Sequence, residues 1–575
     1  MIEIESEYNI SDDMIKSLFG SDRHALRMHA EFIPHASLLW SLRPLAIGSI
    51  QEPDSPTAKL SDESILREFA FRLSNTGKFS EYFLVDRYGG GSIGANGGSG
   101  RAGYIGRGHL KGIGPTPLIG DGEKSHSSGG AYLEEAMRET IFSETFELEN
   151  TNSVIRNICI IDTGEWQKWP RSAKIKKERK VIIVRPRFLR LGHFDRALGY
   201  RPRNQALEAG NDALRVRTFA DYFANWCNQE FRSLGDLLIK SIEKTLDSLA
   251  FSHVFCFRHN ALSSSNISLG GRLLDFGAAS TFPYWGTART PTDVHSPRID
   301  FWDFMQIVDD LVIALMHHNP EVKQDLRPLM LHASNFSKSY EDRVYVWILR
   351  RAGLTDEQIY ELDAQNDQSA KLLTLQWFTD SHNKTYSFNY DRSCSRHPTF
   401  EIGCVWRSDD HRAKQVLTFI EKAFKREDFD LIRARARIFT APRQAFHREY
   451  MRRFLHRLIG TVGELPISNT AVSDWISELI VRNRRFSAWI PRDCVPVGFF
   501  HSSCLAMAIC ARSGSNKLIA IVENCLASAA GIEVKAGMQF ELTNISNNSV
   551  SFSNKEMTPT TVYGRMKWCF RGAPQ

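Results

Sequence analysis

Apolar positions along the chain follow two spacings, and they change from one to the other near the middle. Tyr104, Ile105, His109 and Leu110 alternate as in a strand, which runs into Leu110-Lys111-Gly. Val181-Ile-Ile-Val184 is an unbroken apolar, β-branched run and predicts a second strand. Between them, Leu133, Met137 and Ile141 recur at i, i+4 and i+8 and predict a helix within 129–146. Helical spacing then dominates. Leu234, Leu238, Ile242, Leu246 and Leu249 mark a buried helix. Phe301, Phe304, Val308, Leu311 and Leu315 mark another, ending at His317-His318-Asn-Pro320. Ile65, Phe69, Phe71 and Leu73 carry helical spacing within residues 1–80, beside a connection around Pro53 and Pro56. Residues 322–465 read as mostly helical, and Met538–Asn544 and Thr560–Tyr563 as strands closing a small terminal element. The fold class expected is α+β.

Composition narrows the class of protein. The 575 residues suffice for three or four domains, or for one large two-lobed enzyme with extensions. An apolar fraction of 42% with 36 Phe is ample for a packed core. The net charge of +6 permits an anionic ligand without demanding nucleic acid, and none is expected. Two basic stretches, 163–180 with Trp166 and Trp169 and the arginines from Arg433 to Arg457, read as a solvated hairpin tip and as salt-bridged helices. The ten cysteines lack a C-x-x-C pair, which disfavours a zinc ribbon or a disulfide scaffold and suits a reducing compartment. The acidic N-terminus has no apolar signal region, and Cys504–Cys510 runs straight into Arg512. A soluble, cytoplasmic protein with no membrane contact is therefore expected.

The candidate chemistry gathers around Arg258–Gly277. Asn266 precedes Asp275-Phe-Gly277 by nine residues, and the intervening Gly270-Gly271 predicts a turn between two short strands. Such a hairpin brings the Asn266 amide oxygen and the Asp275 carboxylate to one point. Two hard oxygens beside open space suit a phosphate-bound Mg²⁺, as the Asn and Asp-Phe-Gly Asp do in protein kinases. Upstream, Tyr88-Gly-Gly-Gly-Ser-Ile-Gly-Ala-Asn-Gly-Gly-Ser-Gly-Arg101 lets backbone N–H groups approach a polyphosphate. Lys111 follows on a strand. Glu139 lies off the apolar stripe of its helix, where it can pair with Lys111. Arg185 and Arg190, after the 181–184 strand, can each clamp two phosphate oxygens.

In chain order, Gly-Ser-Gly-Arg101-Ala, Lys111-Gly-Ile-Gly-Pro-Thr-Pro, Arg138-Glu139-x-x-x-Ser-Glu144, Phe-Leu-Arg190-Leu-Gly, His259-x-x-Leu-x-x-x-Asn266 and Leu-Asp275-Phe-Gly resemble the SelO/YdiU (selenoprotein O) family of protein-kinase-like AMP transferases, over about 96–305. The resemblance implies a two-lobed, kinase-like fold that binds ATP in reversed orientation with Mg²⁺ (or Mn²⁺). It also implies transfer of AMP to Ser, Thr or Tyr hydroxyls of a protein or peptide acceptor. By position, Gly98, Gly100, Arg101, Gly129, Arg185 and Arg190 would hold phosphate. Lys111 would contact phosphate and pair with Glu139, and Asn266 and Asp275 would bind the metal. The expected domains are an extension over 1–85, an N-lobe over 86–200, a helical C-lobe over 201–390, and a helical extension with terminal strands over 391–575.

Three positions depart from the family's usual acidic residues: Ser99, Ser128 and Ser265. Ser265 stands where the family has its proton-accepting Asp, and a neutral hydroxyl is a poor general base at pH 7. Three functions follow as alternatives: an adenylyltransferase, a γ-phosphoryl kinase, or an ATP-binding pseudokinase module serving peptide-toxin maturation or a stress partner. The departures also resemble, on weaker grounds, the MchC-type branch linked to maturation of peptide toxins (microcins).

Overall fold

The computed structural model describes residues 12–20, 23–42, 61–74, 81–90, 96–120, 128–171, 174–202, 212–229, 233–282, 285–290, 293–296, 298–364, 368–387, 411–439, 447–461, 469–483, 491–501, 505–514, 518–525, 539–545, 550–552 and 555–556. Part of the Gly-rich run (91–95), several basic residues of 163–180 and 433–457, and Thr560–Tyr563 lie outside the described residues or side chains.

The first third of the chain builds one antiparallel sheet. Its strands are β1 (Ala25–Phe32), β2 (Ser37–Ser41), β3 (Phe71–Leu73), β4 (Glu81–Asp86), β5 (Ala102–Ile105), β6 (Gly108–Lys111), β7 (Ala131–Tyr132), β8 (Cys159–Arg171) and β9 (Lys174–Pro186). They lie in the order β2-β8-β9-β6-β5-β4-β1-β3, with β7 paired to β9. Helices α1 (Asp12–Phe19), α2 (Asp62–Phe69) and α3 (Leu133–Glu149) accompany it.

The run Val181–Val184 is apolar throughout because β9 is covered on both faces. Val181 and Ile183 join the core that contains Met137, Ile141 and Phe142 of α3, whereas Ile182 and Val184 join a second core with Ile65 and Phe69 of α2. The same alternation aims β6. Leu110 belongs to the α2 side, so His109 and Lys111 turn toward α3, and pairing with β9 sets His109 opposite Arg185.

Two local expectations change. Tyr104–Lys111 is two strands, not one, because Gly106 (φ +50°) turns the chain between β5 and β6. Phe71 and Leu73 form strand β3 instead of continuing the helix of Ile65 and Phe69: with Arg72 between them they alternate buried and half-buried, a period of two.

The rest is mainly helical: α4 (Asp212–Gln229), α5 (Leu234–Val254), α6 (Arg298–His318), α7 (Arg327–His332), α8 (Phe336–Arg351), α9 (Asp356–Asp363), α10 (Gln368–His382), α11 (His411–Ala423), α12 (Arg426–Phe439), α13 (Arg448–Thr461) and α14 (Asn469–Asn483). Ser233 and Asp236 start α5 with a reciprocal capping box, and its five stripe residues are all buried. Short strands β10 (Phe257–Arg258), β11 (Ser280–Thr281), β12 (Thr287–Arg289), β13 (Val294–His295) and β14 (Thr385–Ser387) interrupt the helices. A second sheet, β15 (Cys494–His501), β16 (Leu505–Arg512), β17 (Leu518–Cys525), β18 (Gln539–Ile545), β19 (Val550–Phe552) and β20 (Lys555–Glu556), follows as an antiparallel meander. The whole is an α+β protein. Among the described residues no helix is long and apolar enough to cross a membrane.

Candidate active site

Lys111, at the end of β6, is the centre of a buried ion cluster. Its Nζ lies 2.9 Å from Glu139 and 3.2 Å from Glu135, and it also bonds Asp275 Oδ1. Glu135 and Glu139 are one turn apart on α3, so both carboxylates reach the same point. Arg101 pairs with Glu135 at 2.7 Å and donates to the Gly130 carbonyl at 2.7 Å. Arg185 pairs with Glu139 and lies 3.6 Å from Asp275. Three cations therefore face three carboxylates. Each supplies what the others need, because an unpaired buried charge is strongly disfavoured.

Burial alone would raise the Asp275 carboxyl, but the charges of Lys111, Arg185 and Arg101 outweigh it and hold the group well below the usual carboxylate range. Glu135 is lowered in the same way, chiefly by Arg101 and Lys111 acting against burial. Oxygens of Glu135, Glu139 and Asp275 lie within 4.8 Å of one another, a spacing that can hold a metal ion. Both cations that touch Asp275 address Oδ1, so Oδ2 is the oxygen open to a cation.

The hairpin carrying Asp275 forms as expected, though in its smallest version. Ser264–Asn266 make one 3₁₀ turn, Ile267 bridges Leu273, and Leu274 N–H donates to the Asn266 carbonyl at 3.1 Å. Asn266 and Asp275 thus stand on facing arms. Asp275 has a left-handed backbone (φ +67°), a conformation that costs a non-Gly residue energy and clusters at functional sites. The Asn266 side-chain amide donates to the Ala261 carbonyl at 2.7 Å, which leaves its oxygen to face away from that loop. The Ser265 hydroxyl shares a hydrogen bond of 2.8 Å with Ser263.

The Gly-rich loop is tied to a second buried network. Gly98 has φ +144°, and a Cβ there would lie 2.2 Å from the Asp86 carbonyl. Gly129 has φ +76°, with Pro115 N only 2.0 Å from where a Cβ would sit. Both positions therefore require glycine for the chain's own packing. Gly100 accepts from Thr116 N–H at 2.9 Å. Ser99 donates to Asp86 at 2.6 Å, and Ser128 shares a 2.7 Å hydrogen bond with the Tyr132 hydroxyl. His193 lies 3.3 Å from the other Asp86 oxygen and accepts from Arg190 N–H at 3.0 Å. Despite complete burial, the bond and charge of His193, with Arg190 and His109 beyond it, hold Asp86 low. An acidic residue at position 99 would set a second carboxylate against Asp86. The serine there is what this interior accommodates.

Arg190 is buried with its guanidinium 4.8 Å from the Tyr88 ring and 4.7 Å from Phe188, and it donates to the Ser265 carbonyl at 2.5 Å. It ties the 3₁₀ turn of Asn266 to the sheet. The structure therefore brings Arg101, Lys111, Glu139, Arg185 and Asp275 into one cluster. It sets Gly98, Gly100 and Arg190 around the adjoining Asp86 network, and Gly129 beside the Gly130 carbonyl that Arg101 holds. Sequence reasoning missed Glu135 and Asp86. Glu135 was readable, four residues before Glu139 on the same helical face. Asp86 had no local signal.

A family model described as protein adenylyltransferase SelO matches residues 97–393, just over half of the chain. The chain belongs to the SelO family. Curated relatives are more distant. One is the protein nucleotidyltransferase YdiU of Ectopseudomonas mendocina, 28% identical over 173 residues, which is 29% of this chain and 32% of that protein. The YdiU protein of Pseudoalteromonas atlantica is 25% identical over 237 residues, 39% of this chain and 45% of the relative. That of Cytophaga hutchinsonii is 22% identical over 261 residues, 42% and 46% respectively. The chain thus spans about a third to just under half the length of the curated relatives it matches. The family match contains every charged member of the ion cluster, Arg101, Lys111, Glu135, Glu139, Arg185 and Asp275, together with Arg190 and Asn266.

Proposed function

We propose that this SelO-family protein is a Mg²⁺- and ATP-dependent adenylyltransferase that moves AMP to a hydroxyl of a protein or peptide. The observation that carries the reading is the Lys111–Glu135–Glu139–Asp275 cluster, in which a strand lysine, helix glutamates and the Asp-Phe-Gly aspartate meet. A lysine–glutamate pair of that origin, with the Asp beside it, supports a kinase-like arrangement of two lobes. Asp300 of α6 adds to it by accepting the His259 N–H at 2.7 Å, which steadies the loop before Asn266.

Hard oxygen donors fit a divalent ion. Asp275 Oδ2 and the Asn266 amide oxygen would hold Mg²⁺, which would offset charge on the phosphates of bound ATP. Lys111, Arg101 and Arg190 supply fixed positive charge where the α-phosphoryl transition state gains negative charge. The acceptor hydroxyl attacks the α-phosphorus and gives up its proton to solvent, the bond from the α-phosphorus to the bridging oxygen breaks, and pyrophosphate leaves with that electron pair. Glu135 and Glu139 keep Lys111 and Arg101 charged and oriented.

A second reading has its own observation. The Ser265 hydroxyl is bonded to Ser263 and cannot take a proton at neutral pH as a carboxylate would, which favours an ATP-stabilised binding module.

Intact mass after incubation with Mg²⁺ and ATP, alone and with host lysate, separates these readings. An AMP-sized increase that vanishes in Asp275→Ala is the expected result. A phosphate-sized increase would replace the proposal with a γ-phosphoryl kinase. ATP binding with no modified protein would leave the module.

A further inference from the structure

Helix α3, which carries Glu135 and Glu139, is buried around nearly its whole circumference. The sheet covers only one side. The other is closed by residues more than 300 positions later in the chain. Helices α13 and α14 pack on α3, and Met451, Leu455, Val472, Ile476 and Ile480 enter the same apolar core as Met137, Ile141 and Phe142. The N-terminus of α13 also meets the chain just after Asp275-Phe-Gly. Arg448 N–H donates to Ser280 Oγ at 3.0 Å, and Ser280 accepts in turn from the Asn260 side chain at 3.1 Å. The same Asn260 amide donates to the Ala278 carbonyl at 3.0 Å. Next to this, His447 Nε2 lies 3.2 Å from His295 Nε2, both imidazoles being 1% exposed. His295 is held by Arg258 at 3.0 Å, in the strand that leads to His259 and Asn260. The Asp275-Phe-Gly turn closes the circle: Phe276 packs against Phe146 of α3 at 5.4 Å, and a Cβ on Gly277 would lie 3.9 Å from Glu135 and Arg138.

We propose that residues 447–461 and 469–483, helices α13 and α14 with His447, are a positioning element for the ion cluster. They hold α3 from outside and the turn after Asp275 from below, in the register at which Glu135, Glu139 and Asp275 all reach Lys111. The physical requirement is strict, because salt bridges to one ammonium need carboxylates from two separate elements placed to within a few tenths of an ångström. Helix α3 and the 3₁₀ turn and strand of 276–281 are each regular, but their local structure does not set the distance between them. The effect on nucleotide handling rests on the function proposed above; the structural part does not.

Arg448 is the first residue of α13, where a helix makes no use of the N–H, so Arg448→Pro removes the bond to Ser280 and leaves the helix intact. Ser280→Ala removes the same bond from the other side. The test uses the full chain and two readouts, amide hydrogen exchange and Mg²⁺–ATP affinity. Either variant is expected to speed exchange roughly tenfold in 133–149 and 276–281, leave α8 and β15–β16 unchanged, and weaken ATP binding by a similar factor. The double variant should be no worse than Ser280→Ala alone, because Ser280→Ala already removes the Arg448 bond along with the one from Asn260. Faster exchange confined to 447–461, faster exchange spread evenly over the chain, or unchanged ATP affinity despite a loosened α3 would each overturn the proposal. A wild-type protein that binds no ATP would sink the nucleotide reading instead, and the exchange pattern would then decide this one by itself.

Discussion

Arg185 and Arg435 are both about 1% exposed, yet they serve the molecule in different ways. Arg185 ends on carboxylates, Glu139 and Asp275, which outweigh the lowering effect of burial and raise its pKa. Arg435 of α12 ends on neutral oxygens: the Gly353 carbonyl at 2.8 Å, Cys494 at 2.9 Å, Gln358 Oε1 at 2.9 Å, and Arg492. Cys494, Asp428 and Cys510 offset desolvation only in part, and its pKa falls to about 10. The contrast separates two uses of a buried cation. One that faces carboxylates is, on the function proposed above, free to exchange them for phosphate. One enclosed by backbone carbonyls is a rivet, here joining α8, α9 and the terminal sheet. Arginine runs in the sequence do not distinguish the two, and the helices expected to be salt-bridged include this interior joint to neutral oxygens.

Variants can break that comparison. The largest effect is expected for Lys111→Met, which leaves three carboxylates facing two arginines. Nucleotide-dependent activity should fall roughly 100-fold or more, with the fold kept by circular dichroism. Arg435→Leu should do the reverse. Three backbone carbonyls and an amide oxygen lose their donor, so stability to urea drops by about 3 kcal/mol, while ATP affinity of the folded fraction stays at the wild-type value. An equal loss of affinity would erase the distinction drawn here. Glu135→Gln removes one charge yet keeps the shape. It should weaken the hold on Arg101 and change ATP affinity by roughly tenfold, measured by isothermal titration.

The smallest effect near neutrality comes from pH. Burial lowers His295 and His447 to about 4 each, with Arg258, Arg448 and their mutual repulsion adding to it against Asp293 and Glu449. Burial likewise lowers His24 to about 4 and His382 to about 3. The unfolded chain therefore binds protons that the folded one refuses. Stability from these groups is full above the unfolded value near 6.5 and is lost as pH falls from there toward 4. Melting temperatures across pH 7.5 to 4.5 should decline most steeply in the lower half. Replacing His447 with Gln should flatten the slope.

Much of the candidate site was legible. Lys111, Glu139 and Asp275 were each marked by a neighbouring turn or a helical face, and the structure joins all three. Glu135 was missed although helical spacing predicts it beside Glu139. The serines at 99 and 265 read as losses. Ser99 proves to be the residue that fits against Asp86, a partner 13 positions away that no periodicity marks. In the fold, the break between β5 and β6 was hidden because the two-residue turn Gly106–Arg107 is short; it shifts the alternation by one, so that Ile105 and Leu110, five apart, share the α2-side core.

The sequence by itself determined the elements and their chemistry, because helix spacing, strand alternation and the Asn-to-Asp step depend on residues close together in the chain. Only the tertiary structure decided which charges meet, that residues 25–41 extend the main sheet, and that α13 and α14 close on α3. Those outcomes depend on packing between segments far apart along the chain, where loop closure and core volume, not local periodicity, set the answer.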